Sequence, residues 1–140
     1  MNNAGAIGEI NPVGSVSNDS IERVINVNTV APQILINNFV STFKSQEGKF
    51  HILNISSGAG KKAISSWAAY CASKAAIDLF SETVAAELEW KQMTNWRIHS
   101  CAPGVVDTQM QVEIRSADKS AFAHVDNFKA YKENDELFTT

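Results

Sequence analysis

Tyr70 and Lys74 are the residues whose types and spacing most directly suggest chemistry, since they stand four positions apart in Tyr70-Cys71-Ala72-Ser73-Lys74. On a helix, that spacing places both side chains on one face. A free tyrosine has a pKa near 10, which is too high for efficient proton transfer at neutral pH. An ammonium about 6 Å away favours the phenolate by about 3 kcal/mol at an effective dielectric constant of about 20. The pair therefore predicts a general acid–base site, and a surface contact between the two side chains is the competing interpretation.

Ser57 is the third candidate, 13 residues before Tyr70. It follows Phe50–Ile55, a short and mostly apolar run that predicts a buried strand. Open α/β sheets bind ligands at the carboxyl ends of their strands. We therefore expect Ser57, Tyr70 and Lys74 to converge in one cleft at that end of the sheet.

An alternation of helices and strands must position these residues. The first helix follows from an apolar pattern at helical spacing, with Asn18 or Asp19 as the preferred N-cap and Pro32 as a point of bending or interruption. A first turn that joins Ser17 to Ser20 is the alternative start. The predicted helices are Ser20–Lys44, Ser66–Trp90, Thr108–Ser116 and Asp126–Lys132, and the predicted strands are Phe50–Ile55 and Trp96–Ala102.

The order helix, strand, helix, strand, helix is typical of a parallel sheet with helices on its faces. It predicts that Ile52–Ile55 and Arg97–Ala102 are adjacent parallel strands, with the helix of Tyr70 packed on the sheet. Two or three strands make a narrow parallel sheet, because such sheets normally have several strands and two covered faces. The predicted fold class is therefore α/β: a partial doubly wound parallel sheet with flanking helices, as in one part of a larger domain.

A glycine motif after the first strand offers a different chemistry. Gly58–Ala63 matches G-x-G-x-x-A, which in a dinucleotide-binding fold places a pyrophosphate at a helix N-terminus. That fingerprint requires the helix to begin at the motif, whereas Ile64–Ser66 stand before the helical pattern. A loop without phosphate contacts is therefore the favoured interpretation of this segment.

Composition and charge argue against several other classes of protein. With 12 Lys and Arg residues against 15 Asp and Glu residues, the formal net charge is −3, which disfavours a nucleic-acid partner. No apolar run reaches the about 18 residues that cross a membrane, and Met1–Gly5 does not resemble a signal peptide. Cys71 and Cys101 lack the spacing of a zinc site or a disulfide framework. A reducing, cytoplasmic environment without a metal site is the resulting expectation.

Four motifs in order resemble the short-chain dehydrogenase/reductase family. Asn28 and the alanine-rich helix after Tyr70 agree with that family in position. The resemblance covers residues 1 to about 131 and implies a Rossmann-like fold. The motifs are Asn2-Asn3-Ala4-Gly5, Asn54-Ile55-Ser56-Ser57, Tyr70-Cys71-Ala72-Ser73-Lys74 and Pro103-Gly104-Val105-Val106-Asp107-Thr108.

The resemblance implies a role for each matching residue. Tyr70 would donate a proton to a substrate carbonyl, and Ser57 would hold the substrate oxygen. Lys74 would hydrogen-bond the nicotinamide ribose and lower the pKa of Tyr70. Asn28 would hold a water that links Lys74 to solvent, at a local break in its helix. The other implied cofactor contacts are Asn3, Ala4 and Gly5 beside the adenosine half, and Val106 and Thr108 at the nicotinamide carboxamide.

Within the family, Ser57-Gly58-Ala59 and Val105–Gln111 look most like the sepiapterin reductase and benzil reductase branch. That likeness implies reduction of a carbonyl of a dicarbonyl or a pterin side chain, with NADP rather than NAD as cofactor. The family's usual assembly implies a homodimer through the Ser20–Lys44 and Ser66–Trp90 helices. Met110 and Gln111 are open to two interpretations, a plain helix start or part of a substrate lid.

The departure from the family pattern is large. Its glycine-rich pyrophosphate segment, its first three strands and its last helix and strand have no counterpart in these 140 residues. Residues 1–140 are therefore expected to form a single incomplete domain, truncated at both ends and unable to catalyse reduction alone. The rival hypothesis is a non-catalytic fragment that at most associates through its two long helices.

Overall fold

The computed structural model describes residues 1–139, and its first helix begins one residue after Ser17. The Ser17 backbone is extended and its hydroxyl accepts a hydrogen bond from the Ser20 amide at 3.2 Å. The Glu9 carboxylate in turn accepts bonds from the amide and hydroxyl of Ser17. The prediction of Asn18 or Asp19 as the N-cap is therefore wrong, because both residues already lie inside the helix.

The first helical region is continuous but changes its winding in the middle. Helix α1 spans Asn18–Ile25, a π-helical segment spans Asn26–Val30, and helix α2 spans Ala31–Phe43. The Ala31 amide donates to the Asn26 carbonyl, five residues back. Pro32 has no N–H to give to a carbonyl one turn earlier, and the wider turn accommodates that loss. The interruption predicted at Pro32 therefore lies just before it.

Two parallel strands form the sheet. Strand β1 spans Phe50–Ile55 and strand β2 spans Trp96–Cys101, with Phe50 opposite Trp96 and Ile55 opposite Cys101. This pairing confirms the predicted adjacent parallel strands. Asn2 pairs with the other edge of β1: its amide donates to the Leu53 carbonyl at 2.8 Å. The chain near Asn2 therefore leaves the sheet at the same end as β1.

Helix α3 connects the two strands and spans Ala68–Trp90. It begins two residues later than predicted, because Ser66 is left-handed with φ 67° and Trp67 is not helical. Among residues 1–139, no helix is both long and apolar enough to cross a membrane. Helix α4 spans Gln109–Arg115 and helix α5 spans Val125–Glu133, each within one or two residues of its predicted bounds.

Two hydrophobic clusters hold these elements together. The sheet cluster joins α2, α3 and both strands, whereas the tyrosine cluster joins the N-terminal segment, the start of α3, α4 and α5. Burying each large apolar side chain contributes about 1.5–3 kcal/mol. The sheet cluster contains Ile36, Ile52, Leu88, Trp96 and Ile98, and the tyrosine cluster contains Ile7, Ala59, Trp67, Tyr70, Ile114, Phe122 and Val125.

Candidate active site

Tyr70 and Lys74 lie on the buried face of α3, where they are 7% and 5% exposed. The Lys74 ammonium lies 5.7 Å from the centre of the Tyr70 ring. It donates a hydrogen bond of 2.8 Å to the carbonyl of Ile55, the last residue of β1. The predicted convergence of this pair on the carboxyl end of the first strand is therefore present in the structure.

Ser57 joins the pair from the turn that follows β1. Its backbone is extended, and its hydroxyl oxygen accepts a bond from the Ala59 amide at 3.2 Å, which caps the short 3₁₀ turn Gly58–Gly60. The Ser57 side chain also lies close enough to Tyr70 to lower the pKa of its phenol. No α-helix begins at the glycine motif, since α3 starts only at Ala68. The segment thus forms a turn that carries Ser57, in agreement with the loop interpretation.

Burial dominates the electrostatics of the site. It raises the pKa of Tyr70, and the interaction with the Ser57 hydroxyl opposes that shift. Burial also lowers the pKa of Lys74, while the negative charge of Asp78 acts in the opposite direction. The net change in the pKa of Tyr70 is therefore a rise, caused by burial and Cys71 and opposed by Ser57, and the expected lowering by Lys74 is not met. The Lys74 ammonium instead donates to the Ile55 carbonyl.

Asn28 lies in the π-helical segment and is 2% exposed. Its Oδ1 accepts a hydrogen bond from the Ala6 amide, and its Nδ2 donates to the Ala6 carbonyl and to the Ser73 hydroxyl. Ser73 then donates to the Tyr70 carbonyl at 2.7 Å. The Asn28 side chain therefore fastens the N-terminal segment to the helix turn that presents Tyr70 and Lys74.

Sequence reasoning assigned no role to several buried polar residues that support the site. Ser73 is fully buried between Asn28 and the Tyr70 turn. Asn54, in the middle of β1, accepts from the Asn2 side chain and donates to the Ser81 hydroxyl. A polar residue inside an apolar strand was the available signal for Asn54. Buried polar groups need hydrogen-bond partners, so such a residue marks a network.

Asn3, Ala4 and Gly5 are exposed and run past the end of β1 toward Lys74. A Cβ atom on Gly5 would lie 3.7 Å from both the Lys74 ammonium and the Asn28 Oδ1. A cavity of about 370 Å³ adjoins Lys74 and is lined by Asn2, Asn3, Ala4, Asn28, Ile55 and other residues of α2 and α3.

The chemistry of these groups fits the ribose end of a nicotinamide nucleotide. An ammonium carries three N–H donors, and Lys74 uses one of them on the Ile55 carbonyl. The other donors, with the amide of Asn3, suit the hydroxyls of a sugar. Residues Asn3 to Gly5 lie beside Lys74, and their expected contact with the adenosine half stays a prediction.

Val106 and Thr108 occupy the segment after β2. Val106 pairs with Phe138, and Thr108 is exposed at the start of α4. Within residues 1–139, neither is described in contact with Tyr70 or Lys74. The next turn does reach the site, because the Met110 methyl group would lie 3.9 Å from a Cβ on Gly5. Met110 also packs against the tyrosine cluster, and both interpretations of this residue stay predictions.

Comparison with known proteins agrees with this geometry. The sequence profile of the short chain dehydrogenases matches residues 1–119. The chain is 39% identical over 137 residues to benzil reductase ((S)-benzoin forming) of Bacillus subtilis (strain 168), a match that covers 98% of this chain and 56% of that protein. The chain thus spans about half the length of the curated relatives that it matches.

Solved structures show the same likeness. The KRED1-Pglu enzyme superimposes with a TM-score of 0.85 at 31% identity, over 98% of this chain and 55% of that one. A 4-hydroxyisoleucine dehydrogenase complexed with NADH superimposes with a TM-score of 0.69 at 30% identity, over 99% of this chain and 65% of that one. The predicted fold class, a partial Rossmann-like α/β sheet with flanking helices, is confirmed. By its sequence profile, its relatives and its fold, the chain belongs to the short-chain dehydrogenase family of oxidoreductases.

Proposed function

We propose that this chain carries the catalytic half of a carbonyl reductase in which Tyr70 is the proton donor. The observation that supports the proposal is the meeting of Ser57, Tyr70 and Lys74 at the carboxyl end of β1. Carbonyl reduction adds a hydride to carbon and a proton to oxygen. A reduced nicotinamide supplies the hydride when it is bound, so the protein residues must handle the proton and the substrate oxygen.

Tyr70 is suited to the reductive direction. Because burial raises the pKa of its phenol, the side chain holds its proton at neutral pH and can give it to the carbonyl oxygen. Ser57 would hold that oxygen through its hydroxyl. The O–H bond of Tyr70 breaks as the new alcohol O–H forms, and the resulting phenolate is stabilised by the nearby Lys74 ammonium.

Lys74 would bind the ribose hydroxyls of the cofactor with the donors that Ile55 leaves free. Asn28 is proposed to hold a water that links Lys74 to solvent, along the route by which the Tyr70 phenolate regains its proton. Its side-chain atoms are already bonded to Ala6 and Ser73, so its main-chain carbonyl is the group proposed for this task. Pro32, one turn later, has no N–H to offer that carbonyl.

For the cofactor we propose NADPH, with Asn3, Ala4 and Gly5 beside the adenosine half and Val106 and Thr108 at the carboxamide. The preference for the phosphorylated form rests on the likeness to the benzil and sepiapterin reductase branch. A related solved structure is described with NADH, so titrations of the whole protein with NADPH and NADH test the preference directly. Equal affinity for the two, or tighter binding of NADH, would contradict it.

The proposed substrate is a small dicarbonyl compound or a pterin with a carbonyl side chain, by analogy with the benzil reductase of Bacillus subtilis and with the sepiapterin reductase branch. The experiment is Tyr70→Phe in the whole protein. Loss of the proton donor should lower carbonyl reduction by at least about a hundredfold while NADPH binding persists. Tyr131→Phe on α5 is the matched control. Substantial turnover by Tyr70→Phe would refute the role of Tyr70.

We also propose that the protein is a homodimer in the cytoplasm. The dimer would form through the Ser20–Lys44 and Ser66–Trp90 regions, where α3 exposes small residues that allow another helix to approach closely.

The compartment is supported by Cys71 and Cys101, which are both free thiols in the structure. Fractionation of cells that express the protein would test the compartment, and recovery with an extracellular or membrane fraction would contradict it.

A further inference from the structure

Asp78 stands one helical turn after Lys74 on α3 and is half-buried. Its carboxylate accepts a hydrogen bond from the hydroxyl of Ser100, near the end of β2. A hydroxyl that donates to a carboxylate forms one of the stronger hydrogen bonds in proteins. Asp78 therefore fastens α3 to β2 at the level of the site.

The turn that carries Ser57 rests on the same stretch of α3. A Cβ atom on Gly60 would lie 2.7 Å from Oδ2 of Asp78, 3.0 Å from the carbonyl carbon of Lys74 and 3.1 Å from the amide of Ala75. The Gly60 amide donates to the Ser57 carbonyl at 3.0 Å, which closes the turn. The position of Ser57 therefore depends on how this turn packs against Asp78 and the Lys74 backbone.

We propose that Asp78 is a positioning residue, which seats the Ser57 turn on α3 through its bond to Ser100 and places a negative charge beside Lys74. The roles of Ser57 and Lys74 rest on the proposed function, whereas the role of Asp78 toward them is a separate claim. Asp78 is not a catalytic residue, because it acts through its neighbours.

The negative charge of Asp78 acts on Lys74. On α3, Tyr70 and Asp78 are the titratable groups that act on Lys74. The other neighbouring elements present the Ile55 carbonyl from β1, Asn28 from the π segment and Gly5 from the N-terminal segment, and Met1 with its α-amino group lines the same cavity. Asp78 is therefore the charge that counters the effect of burial on the pKa of Lys74.

Two variants of Asp78 separate its charge from its contacts. Asp78→Asn keeps an acceptor for Ser100 and removes the charge, whereas Asp78→Ala removes both. Glu82→Gln, an exposed site one turn further along α3, is the control for loss of a carboxylate. Circular dichroism confirms that each variant is folded, and the Lys74 ammonium is titrated by NMR, with Lys74→Arg to assign its signal.

We expect the Lys74 titration to move to lower pH in Asp78→Asn and to stay in place in Glu82→Gln. An unmoved titration in Asp78→Asn would overturn the electrostatic part of the proposal. In Asp78→Ala, hydrogen exchange of the Gly60 amide should accelerate about tenfold, because the turn loses its contact with the Asp78 side chain. Unchanged exchange would overturn the positioning part. Neither measurement requires turnover, so failure of the proposed function would leave this test intact.

Discussion

At the scale of single residues, the burial of the Tyr70 phenol links the site to the stability of the protein. Its pKa is raised in the folded state above the ordinary value of 10.0, so the folded protein holds the phenolic proton more tightly than the unfolded chain. The contribution of Tyr70 to stability is therefore complete below about pH 10 and is lost as the pH rises through the folded-state pKa. Lys74 acts in the opposite direction, because its pKa is lowered.

Tyr70→Phe should remove the Tyr70 part of this pH dependence. We expect the wild type to lose stability relative to the variant above about pH 10, with a difference of up to about 1.4 kcal/mol per pH unit. Urea unfolding at several pH values measures the difference. Tyr131→Phe serves as the control, and parallel curves for the wild type and Tyr70→Phe would contradict the prediction.

Asn28 is the second residue with a measurable contribution, because three hydrogen bonds end on its buried amide. Asn28→Ala leaves the Ala6 amide and carbonyl without these partners and should cost roughly 2–4 kcal/mol of unfolding free energy. Asn38→Ala, at an exposed position of α2, makes the same change of helix propensity without these bonds. The midpoints of urea unfolding of the two variants test this prediction. Equal midpoints for Asn28→Ala and Asn38→Ala would contradict it.

At the scale of elements, the two ends of the 3₁₀ turn after β1 have opposite surroundings. A Cβ on Gly60 would meet Asp78 and the backbone of α3 within 2.7–3.1 Å, whereas a Cβ on Gly58 would meet nothing within 4 Å. Gly60→Ala should therefore destabilise the protein by about 1–3 kcal/mol. Gly58→Ala should be neutral or stabilising by about 0.4–1 kcal/mol. Thermal unfolding compares the two, and equal effects would show that the close contact carries no cost.

Elements and motifs differ in how far the sequence predicts them. The bounds of α3, α4 and both strands were predicted to within two residues, because helix-forming composition and short apolar runs are local signals. The N-cap at Ser17 was given only as the alternative start, because its support comes from Glu9, eight residues away. The π segment at Asn26–Val30 was foreseen only as a break near Pro32, since a change of winding leaves no separate pattern in the sequence.

The candidate site shows the same division. Residue types and spacing named Ser57, Tyr70 and Lys74, the resemblance gave them roles, and the structure brings them together. It could not foresee that burial raises the pKa of Tyr70, because that burial depends on Trp67 and the rest of the tyrosine cluster. Long-range packing of this kind is invisible in a local motif.

At the scale of the whole molecule, the exposed side of α3 bears on assembly. Leu79 is 66% exposed on this helix, in line with the exposed residues Ala68, Ala72 and Ala75. If this face is the proposed dimer contact, Leu79→Arg should yield monomers in sedimentation without loss of monomer stability, because Leu79 contributes little to the core. Val112→Arg, on the exposed side of α4, is the control. Unchanged sedimentation of Leu79→Arg would count against the dimer.

The three tryptophans occupy three different surroundings, and this distribution gives the protein built-in optical reporters. Trp67 stacks on Phe122 in the tyrosine cluster, whereas Trp96 stacks on Phe50 at the sheet. Trp90 is 80% exposed and contributes emission from water. In Trp90→Phe, each remaining indole therefore reports on one half of the interior. Combining it with Trp67→Phe or Trp96→Phe leaves a single emitter, and two unfolding curves that coincide would establish that both halves melt as one cooperative unit.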